Sequence, residues 1–124
     1  MYLYYIYAPK AWDLSIGGTH GDPSVVIGVT DNTFNVSNPD LAYQIARVGP
    51  KAPWSPTNAD PSHGTHVAGL VAGATDNIDG FGNPVGYPSI GFNCRLDLST
   101  NTDDDGMYDL SIHPAGIAGQ VQVL

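Results

Sequence analysis

The chain has no glutamate: all twelve of its acidic residues are aspartate. Aspartate favours turns, helix caps and cation-binding loops, whereas glutamate populates helix surfaces. With 15 Gly and 10 Pro in 124 residues, this describes a loop-rich molecule rather than one built on long exposed helices. Basic residues are scarce too. Four Lys and Arg against twelve Asp give a net charge of −8, which argues against nucleic acid or an anionic membrane as partner, since both call for a basic patch. The single cysteine, Cys94, excludes an internal disulfide and a cysteine-based zinc site. Its neighbours Phe92, Asn93 and Leu96 mark it as a buried structural thiol. No apolar run approaches the ~18 residues of a membrane span. The opening Met1-Tyr2-Leu3-Tyr4-Tyr5-Ile6-Tyr7 lacks the basic region and cleavage pattern of a signal peptide.

What is present suits one domain of about 100–200 residues, with a run of elements that alternates strand and helix. Residues 1–7 are aromatic and read as a strand or an extended arm. Pro9 followed by Lys10-Ala11-Trp12-Asp13 predicts a short helix closed by Gly17-Gly18. Ser24-Val25-Val26-Ile27-Gly28-Val29-Thr30 is the clearest strand. It is apolar on both faces, as in the centre of a covered parallel sheet, and it ends at Asp31. Residues 41–48 form a short helix or strand, and residues 49–61, with four prolines, an irregular loop. A helix is predicted over about 62–74 with Ser62 as N-cap. Its three glycines each cost up to ~1 kcal/mol relative to alanine, so it must be packed closely on all sides. A Gly-rich loop follows over 75–88, then a strand over 94–98, an acidic loop over 101–105, an ambiguous stretch over 106–119 and a last apolar strand from Val121 to Leu124. This order is that of βαβ units and predicts an α/β fold around a parallel sheet.

In such sheets, sites gather at the carboxyl ends of strands and the starts of the following helices. Asp31 and His63 hold those two places. A buried carboxylate that accepts a hydrogen bond from imidazole fixes its tautomer and stabilises the imidazolium, leaving the other ring nitrogen to act as a general base. His66 lies three residues beyond His63 on the same helical face, which permits metal binding. No third ligand has readable spacing, and His66 reads as a packing or hydrogen-bonding residue. His20 and His113 are isolated and expected to be exposed.

The string His63-Gly64-Thr65-His66-Val67-Ala68-Gly69 resembles the histidine motif of the subtilases, the subtilisin-like serine peptidases. Val25 to Asp31 resembles the family's strand leading to the catalytic aspartate, and Asn38-Pro39-Asp40-Leu41 stands where His-Pro-Asp-Leu is usual. Pro9-Lys10-Ala11-Trp12 is similar to the segment before that strand. The resemblance runs from about residue 8 to 124. It implies a three-layer, parallel-sheet subtilisin-like fold, present in part across 1–124 with residues 1–7 as an arm. It also implies a serine-type endopeptidase with Asp31 and His63 as catalytic residues, peptide or protein substrates and an extracellular location. Calcium is implied at Asp40 and the loop that carries Asp76, Ile78 and Gly80, with Asn77 and Asp79 as further side-chain candidates. Substrate-strand contacts fall around residues 102–108.

Two departures stand out. The family follows its aspartate with Ser or Thr and then Gly, and this chain has Asn32-Thr33. The family's nucleophile lies in Gly-Thr-Ser, and the only Gly-Thr pairs here, Gly18-Thr19 and Gly64-Thr65, are each followed by histidine. The chain is therefore expected to lack turnover alone and to need the downstream half of the domain, with an open sheet that makes it marginal, dimeric or aggregation-prone. The competing reading is a non-catalytic α/β module derived from such a domain, serving calcium binding or protein interaction.

Overall fold

The computed structural model describes residues 2–101 apart from 56, 58, 76, 79, 85 and 87. Helix α1 (Tyr2–Tyr5) and helix α2 (Ala8–Ala11) open the chain. The first corrects the expectation of a strand or extended arm. Aromatic β-propensity depends on cross-strand neighbours, and among the described residues no strand lies beside this segment. Local bonds such as Tyr7 N to Tyr4 O take over. Pro9 occupies the first turn of α2, where a missing N–H costs nothing. The Trp12 indole anchors the segment by donating to Ile90 O at 3.1 Å and packing edge-on against Phe92, with ring centroids 5.5 Å apart. A 3-10 turn, Leu14–Ile16, ends at Gly17, whose φ of 82° is one that L side chains rarely adopt.

Strand β1 (Val26–Asp31) follows, then β2 (Ile45–Val48), helix α3 (Ser62–Ala72) and β3 (Arg95–Thr100). The three strands form a parallel sheet in the order β1-β3-β2. The predicted α/β class and parallel sheet are therefore present among the described residues. The choice left open over 41–48 falls to a strand, with an irregular register between Ile45 and Arg47.

Register divides the sheet into two faces. Ile27 and Val29 pair with Leu96 and Leu98, and this face joins Phe34, Leu41, Ala52, Ala68 and Ala72 in the core. The alternate positions of β3 carry polar groups, Arg95, Asp97 and Ser99. Thr30 and Ser99 share a hydroxyl–hydroxyl bond of 2.8 Å. Asp97, buried in the central strand, meets Arg47 of β2 at 2.8 Å. Removing Arg47 would take the counter-charge from the buried Asp97 carboxylate.

Helix α3 packs through its small residues. Gly64, Ala68 and Ala72 are buried, which lets the helix backbone lie close to the strands. Packing on all sides is not found: Val67, Leu70 and Val71 are half-buried, and the position a side chain would take at Gly69 meets nothing within 4 Å. The helix start also differs from the sequence expectation. Pro61 is the cap residue and Ser62 is already helical. The acceptor is instead Asp60 Oδ1, which takes hydrogen bonds from Ser62 Oγ (2.6 Å) and Ser62 N (2.9 Å). These two bonds, the hydroxyl's first, hold the Asp60 carboxyl below its ordinary value of 3.8. At the other end the helix stops at Ala72 because Gly73 turns to extended backbone, and Ala74 N–H donates to Asp40 O at 2.8 Å.

Candidate active site

The two residues singled out on sequence grounds meet in space. Asp31 is the last residue of β1 and His63 the second of α3. Asp31 Oδ2 lies 2.7 Å from His63 Nδ1. The carboxylate side chain is 13% exposed and the imidazole 80%. A largely desolvated acceptor therefore holds one ring nitrogen while the rest of the ring stays accessible. With Asp31 ionised, the proton of the neutral ring sits on Nδ1 and the lone pair on Nε2.

The carboxylate is fixed by its own loop. Asn32 N–H donates to Asp31 Oδ1 at 2.8 Å, so each carboxylate oxygen has a separate partner. Asn101 N–H donates to Asp31 O at 2.9 Å. The peptide unit is planar, so that bond also sets the direction of the Asn32 N–H. Thr100 Oγ1 holds the next carbonyl, Asn32 O, at 2.8 Å. The absence of the family's turn glycine is accommodated, because neither Asn32 nor Thr33 adopts a positive φ.

Two features bring α3 up to this loop. Gly64 faces Thr33 O, Asp31 Cβ and the Phe34 ring so closely that a methyl group there would overlap the carbonyl and stand 3.1 Å from Asp31 Cβ. Asn35 N–H donates to Thr65 Oγ1 at 2.9 Å, and Thr33 Oγ1 donates to Ala59 O at 3.0 Å. The sequence marks Thr33 only as a departure from the family's turn glycine and gives no signal for Thr100 or Asp60. Their hydroxyl or carboxyl groups are unremarkable in composition and acquire roles only through partners set by the fold.

The calcium candidates are partly described. Asp40 is half-buried, and among the described residues its Oδ1 has no hydrogen-bond partner; the same holds for both polar side-chain atoms of Asn77. Gly86 sits against the Asp40 carboxylate, where any side chain would overlap it. Ile78 forms an isolated bridge with Pro84 and is exposed, as is Gly80. Asp76 and Asp79 lie outside the described residues. His66 is exposed and lines a cavity of about 460 Å³ with Asn35, Asn38, Asp40 and Leu70. Among the described residues no three His, Cys or Asp side chains gather as a metal cluster. His20 is exposed with its ring 5.6 Å from Phe92, and Cys94 is buried as expected. The expected strand over 121–124, the acidic loop beyond 101, the substrate segment around 102–108 and His113 fall outside the described residues.

A strand-end aspartate hydrogen-bonded to a helix-start histidine beside a parallel sheet agrees with the resemblance of the histidine string, and the chain belongs to the subtilase family: the family's profile matches residues 22–119. It is similar to halolysin from Haloferax mediterranei, with 37% identity over 82 residues. The aligned region covers 60% of this chain and 15% of halolysin, so the chain spans a small part of that relative's length.

Proposed function

We propose that this chain supplies the aspartate and histidine of a Ser-His-Asp triad in an extracellular endopeptidase acting on peptides or proteins. The observation that carries this reading is the 2.7 Å contact between Asp31 Oδ2 and His63 Nδ1. In the reaction, His63 Nε2 removes the proton from an attacking serine hydroxyl and later delivers it to the leaving amine. Asp31 keeps the Nδ1–H tautomer in place and stabilises the imidazolium formed in each transfer. Neither Gly-Thr pair of these 124 residues is followed by serine, so a Gly-Thr-Ser nucleophile is not among them. These 124 residues alone are therefore proposed to be catalytically silent.

We further propose a structural calcium ion at Asp40. An unpartnered carboxylate oxygen and an unpartnered amide oxygen at Asn77 are hard donors of the kind Ca²⁺ collects. Asp40 and Asn77 would hold the ion with Asp76 and the carbonyls of Ile78 and Gly80. When bound, it supplies positive charge that ties the loop after α3 to the segment after β1, away from the proton transfers. At free calcium 100-fold above Kd, linkage adds about 2.7 kcal/mol of stability. Thermal melting in millimolar Ca²⁺ should shift upward and Asp40→Asn should remove the shift; an unchanged melt in the unsubstituted chain would count against the site.

The catalytic reading is tested by exchanging this chain for the matching stretch of halolysin. The chimera is expected to react with an active-site-serine probe and hydrolyse peptide, while the 124-residue chain does neither. A folded chimera that takes no label would return the non-catalytic reading.

A further inference from the structure

We propose that Thr33 is a positioning residue for the Asp31–His63 pair, an inference that rests on the catalytic reading above. Thr33 follows the aspartate by two positions and is 3% exposed. Its hydroxyl donates to Ala59 O at 3.0 Å, a carbonyl three residues ahead of the first residue of α3. Its own carbonyl oxygen is the atom against which Gly64 packs. One residue therefore touches the approach to α3 through its side chain and the first turn of α3 through its backbone. Between those two contacts sits His63.

The glycine that the subtilases carry at this place in the turn has no hydroxyl and could form no such tether. Here the turn needs no positive φ, and the side chain it gains ties the aspartate loop directly to the segment that delivers the histidine. The bond works on distance. The aspartate loop is fixed from one side at the end of β3, where Asn101 N–H donates to Asp31 O and the Thr100 hydroxyl donates to Asn32 O. Thr33 fixes the same loop to the other partner. A hydroxyl of this kind, buried and satisfied by a carbonyl, has a defined direction that an apolar isostere lacks.

The test reads the pair itself in the full 124-residue chain. With ¹⁵N-labelled imidazole, the proton on His63 Nδ1 should give a persistent downfield resonance. Thr33→Val should lose it to exchange while the chain stays folded, and Thr33→Ser, which keeps the hydroxyl, should retain it. A purely structural threonine would lower the melting temperature and leave the resonance intact in the folded protein. If Thr33→Val keeps the signal, the tether is overturned and the pair stands. If the unsubstituted chain shows no such proton, the orienting role of Asp31 fails and takes this inference with it. Thr33→Ala serves as a second hydroxyl-free variant. Should neither hydroxyl-free variant fold while Thr33→Ser does, the hydroxyl serves folding and the inference is overturned.

Discussion

Gly64→Ala is expected to destabilise the chain by about 2 kcal/mol net, although alanine is the better helix former. Two opposed effects decide the sign. Glycine in a helix interior costs up to ~1 kcal/mol relative to alanine, so propensity alone favours the change. Against it, the new methyl group would meet the Thr33 carbonyl, Asp31 Cβ and Phe34 Cδ1. Overpacking typically costs 1–3 kcal/mol, and two of these three neighbours belong to a strand end and its turn, which cannot rotate away, so the upper end, about 3 kcal/mol, applies. The net loss corresponds to a fall in melting temperature on the order of 10 °C. Gly69→Ala is the internal control. Nothing lies within 4 Å of its added methyl, so only the propensity gain of up to ~1 kcal/mol remains. Thermal melts of the two variants should move in opposite directions. Two shifts of the same sign would contradict the packing of α3 described here.

In the halolysin chimera, Asp31→Asn should lower kcat by about 10⁴-fold with KM little changed. The substitution preserves shape and changes the hydrogen-bonding character of one atom. Facing His63 Nδ1 at 2.7 Å, the carboxylate can only accept, which holds the ring proton on Nδ1. An amide at that distance can turn its NH₂ toward the ring, and the proton then moves to Nε2, where a base is needed. The fall would be carried by proton transfer rather than by substrate binding, so steady-state kinetics separates kcat from KM. A loss confined to KM would mean that Asp31 shapes the binding cleft instead.

Much of this site was legible because its two halves are local signals. A continuous apolar run ending in Asp31 reads as a covered strand, and Ser62 to Gly69 combines small residues with two histidines at helical spacing. Helix α3 and strand β1 lie within two residues of the expected 62–74 and 24–30. β2 was less legible. Only Ile45 and Val48 are large and apolar in it, Arg47 interrupts them, and the register breaks between Ile45 and Arg47. The partner that makes Arg47 intelligible is Asp97, fifty residues on. The N-terminal tyrosines misled for a related reason: a β-prone composition forms a strand only where a neighbour is available. The sequence offers Ser62 as the cap, and Asp60 is the acceptor in the structure, because both residue types are good acceptors and only the chain path chooses between them. The turn after Asp31 departs from the family in having Asn32-Thr33 in place of a residue pair ending in glycine. The structure shows ordinary backbone there, held by hydroxyl groups from Thr33 and Thr100.

The central claim is that Asp31 orients His63 as a base. Its most direct test is the proton spectrum of the folded chain with ¹⁵N-labelled histidine. A persistent downfield proton coupled to His63 Nδ1, absent in Asp31→Asn, is the predicted result. A His63 ring with both nitrogens exchanging freely with water, indifferent to Asp31→Asn, would contradict it.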